Sequence, residues 1–466
     1  MSPNLEQYSS LQRRNSRCTA AKRAPLSMAN ERNAPIVTAA ALSAPQHGGC
    51  GPLRISRADS GDSAVPLRQQ VFESVRAGGA LSRVEIARML GVSPGSVTQA
   101  AADLIAAGYL QEVETAPRDG ETTRGRPPVG LAVNPAAGTV AGIKISEAGH
   151  SAVLYDFAGG ALADMTLPGA VRPLSRAEVK ATVAQLLDGL LGQASITRDQ
   201  VAAVGLGMPG FIDGETGQAL WSSMLSDANL PLTELLSDHL GCPVIIDNDA
   251  NLMTLAELWF GDGRDVSNFA VVTIEHGVGM GLVLNNRLYR GGRGLGTELG
   301  HTKVQLDGAL CRCGQRGCLE AYVADYALVR EASTALDWSG KDLLGPREML
   351  SELYDHAKAG NTAARSIFRR AGRYLAVGLA NVVNLFDPEL IILSGERMEY
   401  DYLYADEVLR DMAAAAIQVD RPAPRVQIHA WGDLIWARGA AALALSTVTA
   451  QRLGTPGALD EASCVA

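Results

Sequence analysis

The chain has 466 residues, 47% hydrophobic and 20% charged, a length that favours two or three folded units over one average domain. A formal net charge of -9 excludes a protein that coats nucleic acid or an anionic membrane by bulk electrostatics, so any contact with DNA must be local. No apolar run is long enough for a membrane span and no amino-terminal secretory pattern is present, so the expectation is a cytoplasmic protein with no membrane partner.

Residues 1–64 mix Ser, Ala, Pro, Asn, Gly and Arg without an apolar period and read as a disordered tail, to which no function is assigned. From Leu67 to Glu114 the pattern changes to three short helices. The first spans about Arg68 to Ala77 and stops at Gly78-Gly79. The second opens on Ser82-Arg83-Val84-Glu85, a capping box, and ends at Gly91. The third opens on Ser93-Pro94, carries an apolar stripe of Val97, Ala101, Leu104 and Ile105, and closes at Gly108.

Two short helices joined through Gly91-Val92-Ser93 match the helix-turn-helix plan, whose second helix enters the major groove. Ser96, Thr98 and Gln99 then form the exposed polar edge that reads bases or phosphates. A helical hairpin that merely packs is the bland alternative. A strand from Tyr109 to Val113, a turn at Asp119-Gly120 and the strip Thr123-Arg124-Gly125-Arg126-Pro127-Pro128 make a wing, with Arg124 and Arg126 suited to a minor groove. A solvated linker is the competing reading of that strip. Basic and acidic side chains balance across 65–128, so one copy should bind operator DNA weakly and a homodimer or homotetramer is expected.

After about residue 138, β-like runs (142–145, 201–205, 244–247, 269–274 and 390–393) alternate with helical stretches (250–260 and 363–385), an α/β pattern sized for two lobes around a cleft. The stretches 363–385 and 436–445 are candidate dimer or lobe helices. Of seven cysteines, Cys311, Cys313 and Cys318 crowd together just after His301. Three thiolates and one imidazole are the ligand set of a closed, structural Zn2+ site, and with four protein ligands no position is left for an activated water.

The runs Glu298-Leu299-Gly300-His301 and Cys311-x-Cys313-Gly-x-x-Gly-Cys318-Leu319-Glu320, with Asn248-Asp249-Ala250-Asn251 upstream, resemble the ROK family of sugar kinases and sugar-responsive repressors. The likeness is strongest to the regulator branch of xylose and N-acetylglucosamine repressors and extends over about residues 67–450. It implies an α/β fold: an N-terminal winged helix-turn-helix (65–135), a two-lobed actin-like, hexokinase-like (ribonuclease H-like) ATPase-fold domain (136–452), and a C-terminal tail (453–466). It also implies that Asn248, Asp249, Glu298, His301 and Glu320 contact a small sugar or sugar phosphate. Asp249 falls at the kinase's general base, and His301 serves both sugar and zinc.

Phosphoryl transfer needs intact phosphate loops. Gly277-Val278-Gly279-Met280-Gly281 reads as one. Where family kinases show Asp-x-Gly-Gly-Thr, however, this chain has Lys144-Ile145-Ser146-Glu147-Ala148, and Ser394-Gly395-Glu396 departs from the late nucleotide loop. The expectation is therefore a sugar-responsive transcription regulator that uses no ATP and has no catalytic residue. An ATP-dependent sugar kinase with an accessory DNA-binding domain, and a repressor that senses a protein partner, are its rivals.

Overall fold

The computed structural model describes residues 37–39, 49–54, 65–114, 129–170, 172–336, 345–395, 406–417, 422–429 and 432–454. Val37–Ala39 form the first strand, β1. A trihelical head follows: α1 (Leu67–Gly78), α2 (Arg83–Leu90) and α3 (Pro94–Ala106). Both bonds of the capping box at α2 are present, from Glu85 N to Ser82 Oγ and from Ser82 N to Glu85 Oε2. Ser93 Oγ accepts from Ser96 N to start α3. Val71, Phe72, Val75, Ile86, Val97 and Leu104 are fully buried between the helices. The antiparallel ribbon of β2 (Leu110–Glu114) and β3 (Val129–Val133) closes the head, and Leu81 bridges to Leu131 beside it. The tip of this ribbon, with Arg124 and Arg126, lies outside the described residues.

The body is built from two sheets of one plan. The first contains β4 (Thr139–Lys144), β5 (Gly149–Asp156), β6 (Ala161–Pro168), β7 (Val201–Met208) and β10 (Val244–Asn248), in the order β10-β7-β4-β5-β6. Helices α4 (Arg176–Ala194) and α5 (Leu232–Leu240) pack on it, and a small ribbon of β8 (Phe211–Asp213) and β9 (Gln218–Trp221) lies beside them. Helix α6 (Asp249–Phe260) leads to the second sheet, which contains β11 (Phe269–Ile274), β12 (Val278–Leu284) and β13 (Arg287–Tyr289). After α7 (Glu320–Val323), α8 (Asp325–Ala335), α9 (Pro346–Lys358) and α10 (Thr362–Phe386) come β14 (Leu390–Ser394), α11 (Asp406–Ala415) and β15 (Arg425–His429). Its order is β1-β15-β14-β11-β12-β13. In each sheet the opening strand has an antiparallel meander on one side and parallel strands on the other, a duplicated actin-type arrangement.

Helix α12 (Ile435–Gly454) packs on the first sheet and against α6, so the two helices form the layer between the sheets. Small residues set this closeness. A Cβ at Gly205 would stand 1.9 Å from Ala440 O, and one at Gly439 would stand 1.9 Å from Leu252 O, so neither position admits a side chain without moving backbone. Residues 436–445 are consequently an internal lobe element, and the dimer-helix alternative for them is set aside.

The head rests on this layer. Arg68 Nε donates to Leu453 O at 2.8 Å, and the buried Arg76 donates to Thr449 Oγ1 at 2.8 Å. The Arg76 guanidinium lies 4.5 Å from the Trp259 ring and 5.2 Å from the Phe72 ring. The expectation of a disordered tail over 1–64 is corrected here for part of its length. Residues 49–54 run between head and body, where Cys50 N donates to Arg76 O, Gly51 N to Trp259 O and Leu53 N to Arg264 O. Arg264 returns bonds to Gly51 O and Ala77 O. A segment with no apolar period is ordered because its backbone groups find partners in the head at Arg76 and in the body at Trp259 and Arg264.

Candidate functional site

Strand β10 ends at Asn248, whose side-chain oxygen accepts from Asn251 N and caps α6, so Asp249 begins the helix at the mouth of a cavity of about 830 Å³ between the sheets. Glu298 enters from the loop after β13, where Thr297 adopts φ 67, and Glu320 from the first turn of α7. The structure brings Asn248, Asp249, Glu298, His301 and Glu320 together on this one cavity.

The carboxylates disturb one another. Burial pushes the Asp249 carboxyl up and the Lys144 ammonium pulls it back. Glu298 is raised to about 7, first by burial and then by the charges of Asp249 and Glu320. At such a value Glu298 can both donate to and accept from ligand hydroxyls near neutrality.

At the cavity wall, His301, Cys311, Cys313 and Cys318 place one ligand atom each within 4.8 Å of one another. Cys311 Sγ lies 3.8 Å from His301 Nδ1, and Cys313 Sγ 3.7 Å from Cys318 Sγ. Zinc bonds of about 2.0–2.3 Å in a tetrahedron separate ligand atoms by about 3.5–3.8 Å, so the donor set fits the ion. The knuckle folds tightly because Gly317 has φ 77 and passes so close to Gln305 that a Cβ would stand 1.8 Å from its carbonyl oxygen. Lys303 Nζ donates to Cys318 Sγ at 2.9 Å. Glu320 couples cluster to cavity: it accepts from Tyr326 OH at 3.4 Å and from Cys311 Sγ at 3.6 Å, and it lines the pocket.

The glycine-rich run at 277–281 is the turn and first half of a hairpin, and its residues 277–280 line the cavity. Residues 278–281 belong to β12 and pair with β11, leaving only a short turn at 275–277. A Cβ at Gly281 would stand 2.0 Å from Thr254 Oγ1, so the packing of α6 by itself requires a glycine there. On the head, Ser96, Thr98 and Gln99 are all exposed along one edge of α3; Thr98 Oγ1 donates to Pro94 O and Gln99 to Asp103.

Two contacts escaped the sequence reading. Arg290 donates twice to Asp247 Oδ2, at 2.9 and 2.6 Å, and fixes the loop that carries Glu298 against the end of β10. No local pattern announces a pair 43 residues apart. Farther along α6, His429 lies buried between Glu257 (2.6 Å) and Asp262 (3.2 Å), tying α6 to β15.

Duplicated sheets around one cavity, with a cluster of one histidine and three cysteines at its wall and a trihelical head on its middle layer, define a two-lobed, hexokinase-like protein of the actin-type fold. The model of the ROK family matches residues 141–447, and the chain belongs to that family. The xylose repressor of Caldicellulosiruptor bescii is 28% identical over 341 residues, covering 70% of this chain and 82% of the repressor. A glucokinase of Halalkalibacterium halodurans is 32% identical over 228 residues, covering 47% and 68%. In fold, the chain resembles a ROK family transcriptional regulator homologous to the E. coli MLC protein, with TM-score 0.68 and 24% identity over 85% of this chain and 98% of that one. Among the described residues no helix is long and apolar enough to cross a membrane.

Proposed function

We propose that the chain is a cytoplasmic, sugar-responsive transcription regulator that represses genes of carbohydrate uptake and catabolism, with ligand binding in the cleft altering operator affinity. One observation carries this reading: five hydroxyl-matching side chains converge on a cavity at the start of α6, and the other end of that helix meets the head at Trp259 and Arg76. A helix of this length spans about 18 Å, so a shift of the lobes about the ligand is carried bodily to the head. The repressor relative supports the same reading.

In this reading residues 65–135 read DNA through Ser96, Thr98 and Gln99, with Arg124 and Arg126 in the minor groove, and 136–452 form the effector. Strand β1 and the stretch 49–54 within 1–64, and Leu453-Gly454 at the end of α12, belong to the folded body and not to tails. Two or four copies supply paired heads. Structural zinc on His301, Cys311, Cys313 and Cys318 fixes the segment bearing His301 and Glu320, and supplies no chemistry to the ligand. ATP is not used: Lys144 occupies the acidic position of the first phosphate loop, and Glu147 is exposed at the cavity where phosphate would approach.

Calorimetric titration of the zinc-loaded protein with pentoses, hexoses, amino sugars and their phosphates tests the reading. Saturable binding that Asp249→Asn weakens, with zinc content unchanged, is the expected result; silence across the panel would overturn it in favour of a protein signal. Turnover in a coupled kinase assay, abolished by the same substitution, would make the chain an enzyme.

A further inference from the structure

Lys144 is the last residue of β4, 6% exposed, with its side chain at the cavity wall. Its ammonium rests 3.3 Å from the centroid of the buried Trp436 ring. Among the described residues it donates no hydrogen bond, and no carboxylate lies within 4.0 Å of its nitrogen. Asp249 acts on it only at longer range. An ammonium has three strong donors, and leaving them unspent in a desolvated site is costly unless a partner arrives from the cavity.

The rest of the lining says what that partner is. Asp249, Glu298 and Glu320 dominate the sugar-facing wall, so an anion placed there meets carboxylates. Beside Trp436 it meets a buried cation instead. Bonds from an ammonium to an anionic oxygen are shorter and stronger than those to a neutral hydroxyl, and lysine serves as a point-charge binder of phosphate.

We propose that Lys144, backed by Trp436, forms an anion subsite, and that the ligand of this pocket is an anionic sugar whose hydroxyls meet the carboxylate wall while its phosphate or carboxylate group meets Lys144. This rests on the sugar-binding reading above and narrows its ligand class. Trp436 lies in the first turn of α12, so the subsite also adjoins the helix that holds Arg68 and Arg76 of the head.

The test uses the full zinc-loaded chain and calorimetry with glucose, glucose 6-phosphate, glucuronate, xylose, N-acetylglucosamine and N-acetylglucosamine 6-phosphate, with inorganic phosphate in a parallel thermal-shift series. At least one anionic sugar should bind about ten-fold or more tighter than its neutral parent. A phosphate ester and a uronate as the winning arm distinguish the two sources of charge. Lys144→Met should bring the ratio of anionic to neutral affinity to about one, whatever it does to the neutral parent through Asp249, and should remove the thermal response to inorganic phosphate, and Lys144→Arg should keep the advantage. Neutral sugars binding as tightly as their anionic forms, or an advantage that survives in Lys144→Met, would overturn the subsite and leave the sugar reading standing. Silence of every sugar would overturn both.

Discussion

Arg76 offers the sharpest test of how head and body are joined. Replacing it with Met keeps most of the apolar stem and removes the charge. The loss comprises a charged-donor bond to Thr449, about 1.5–3 kcal/mol, and a desolvated guanidinium on the Trp259 and Phe72 faces, about 2 kcal/mol. Against this, a buried cation whose Nε has no partner is relieved, which returns about 1–3 kcal/mol. The balance predicts that Arg76→Met destabilises by about 0.5–4 kcal/mol, centred near 2 kcal/mol, and that Arg76→Ala costs about 2 kcal/mol more because it also leaves a cavity. Equilibrium urea unfolding at neutral pH, with the midpoint compared at constant slope, measures both. A Met variant as stable as the parent would refute the reasoning, since the junction would then be held by apolar packing alone.

Removing zinc with a strong chelator, or substituting Cys311→Ser, should lower the thermal midpoint and weaken sugar binding together, because the knuckle positions His301 and Glu320; metal loss with sugar affinity intact would separate the two sites. His429→Leu removes the imidazole that faces the buried Glu257 carboxylate and should cost about 3 kcal/mol near neutral pH. Burial opposes the charge on His429, but Asp262 and Glu257 overcome it and raise its pKa from 6.5 to about 10, with Arg425 acting on Asp262 from the same strand as His429. Because the folded value is the higher one, this contribution is complete below pH 6.5 and fades as pH rises toward 10, so the stability gap between parent and His429→Leu should narrow over that window; a constant gap would exclude the charged pair. Replacing Arg124 and Arg126 together should weaken duplex binding and reduce its salt slope by about two, as titrations at several salt concentrations would show; unchanged affinity removes the wing from the interface.

Local chemistry was legible in the sequence. The Ser82–Glu85 box, the Ser93-Pro94 start and the apolar run Phe269–Ile274 declare themselves over a few residues, and the cysteine spacing announces its own ligand set. The five cavity residues were named through family motifs, since nothing local ties Asp249 to Glu320. What stayed hidden depends on distant partners. The packing demand on Gly279 and Gly281 shows only once α6 is seen pressed on β12, Cys50 and Gly51 read as tail until Arg76, Trp259 and Arg264 surround them, and Arg290 finds Asp247 only once β10 and the loop after β13 meet. Lys144 was legible as a departure from the kinase loop, but its indole support from Trp436 was not.

The central claim is that occupancy of the cavity changes the grip of the head on DNA. Genomic fragments captured by the full-length protein supply a duplex, and its affinity can then be titrated with and without each saccharide that binds. The account predicts a shift of about five-fold or more with at least one of them, absent in Asp249→Asn. A saccharide that saturates the cavity while duplex affinity stays constant would contradict it.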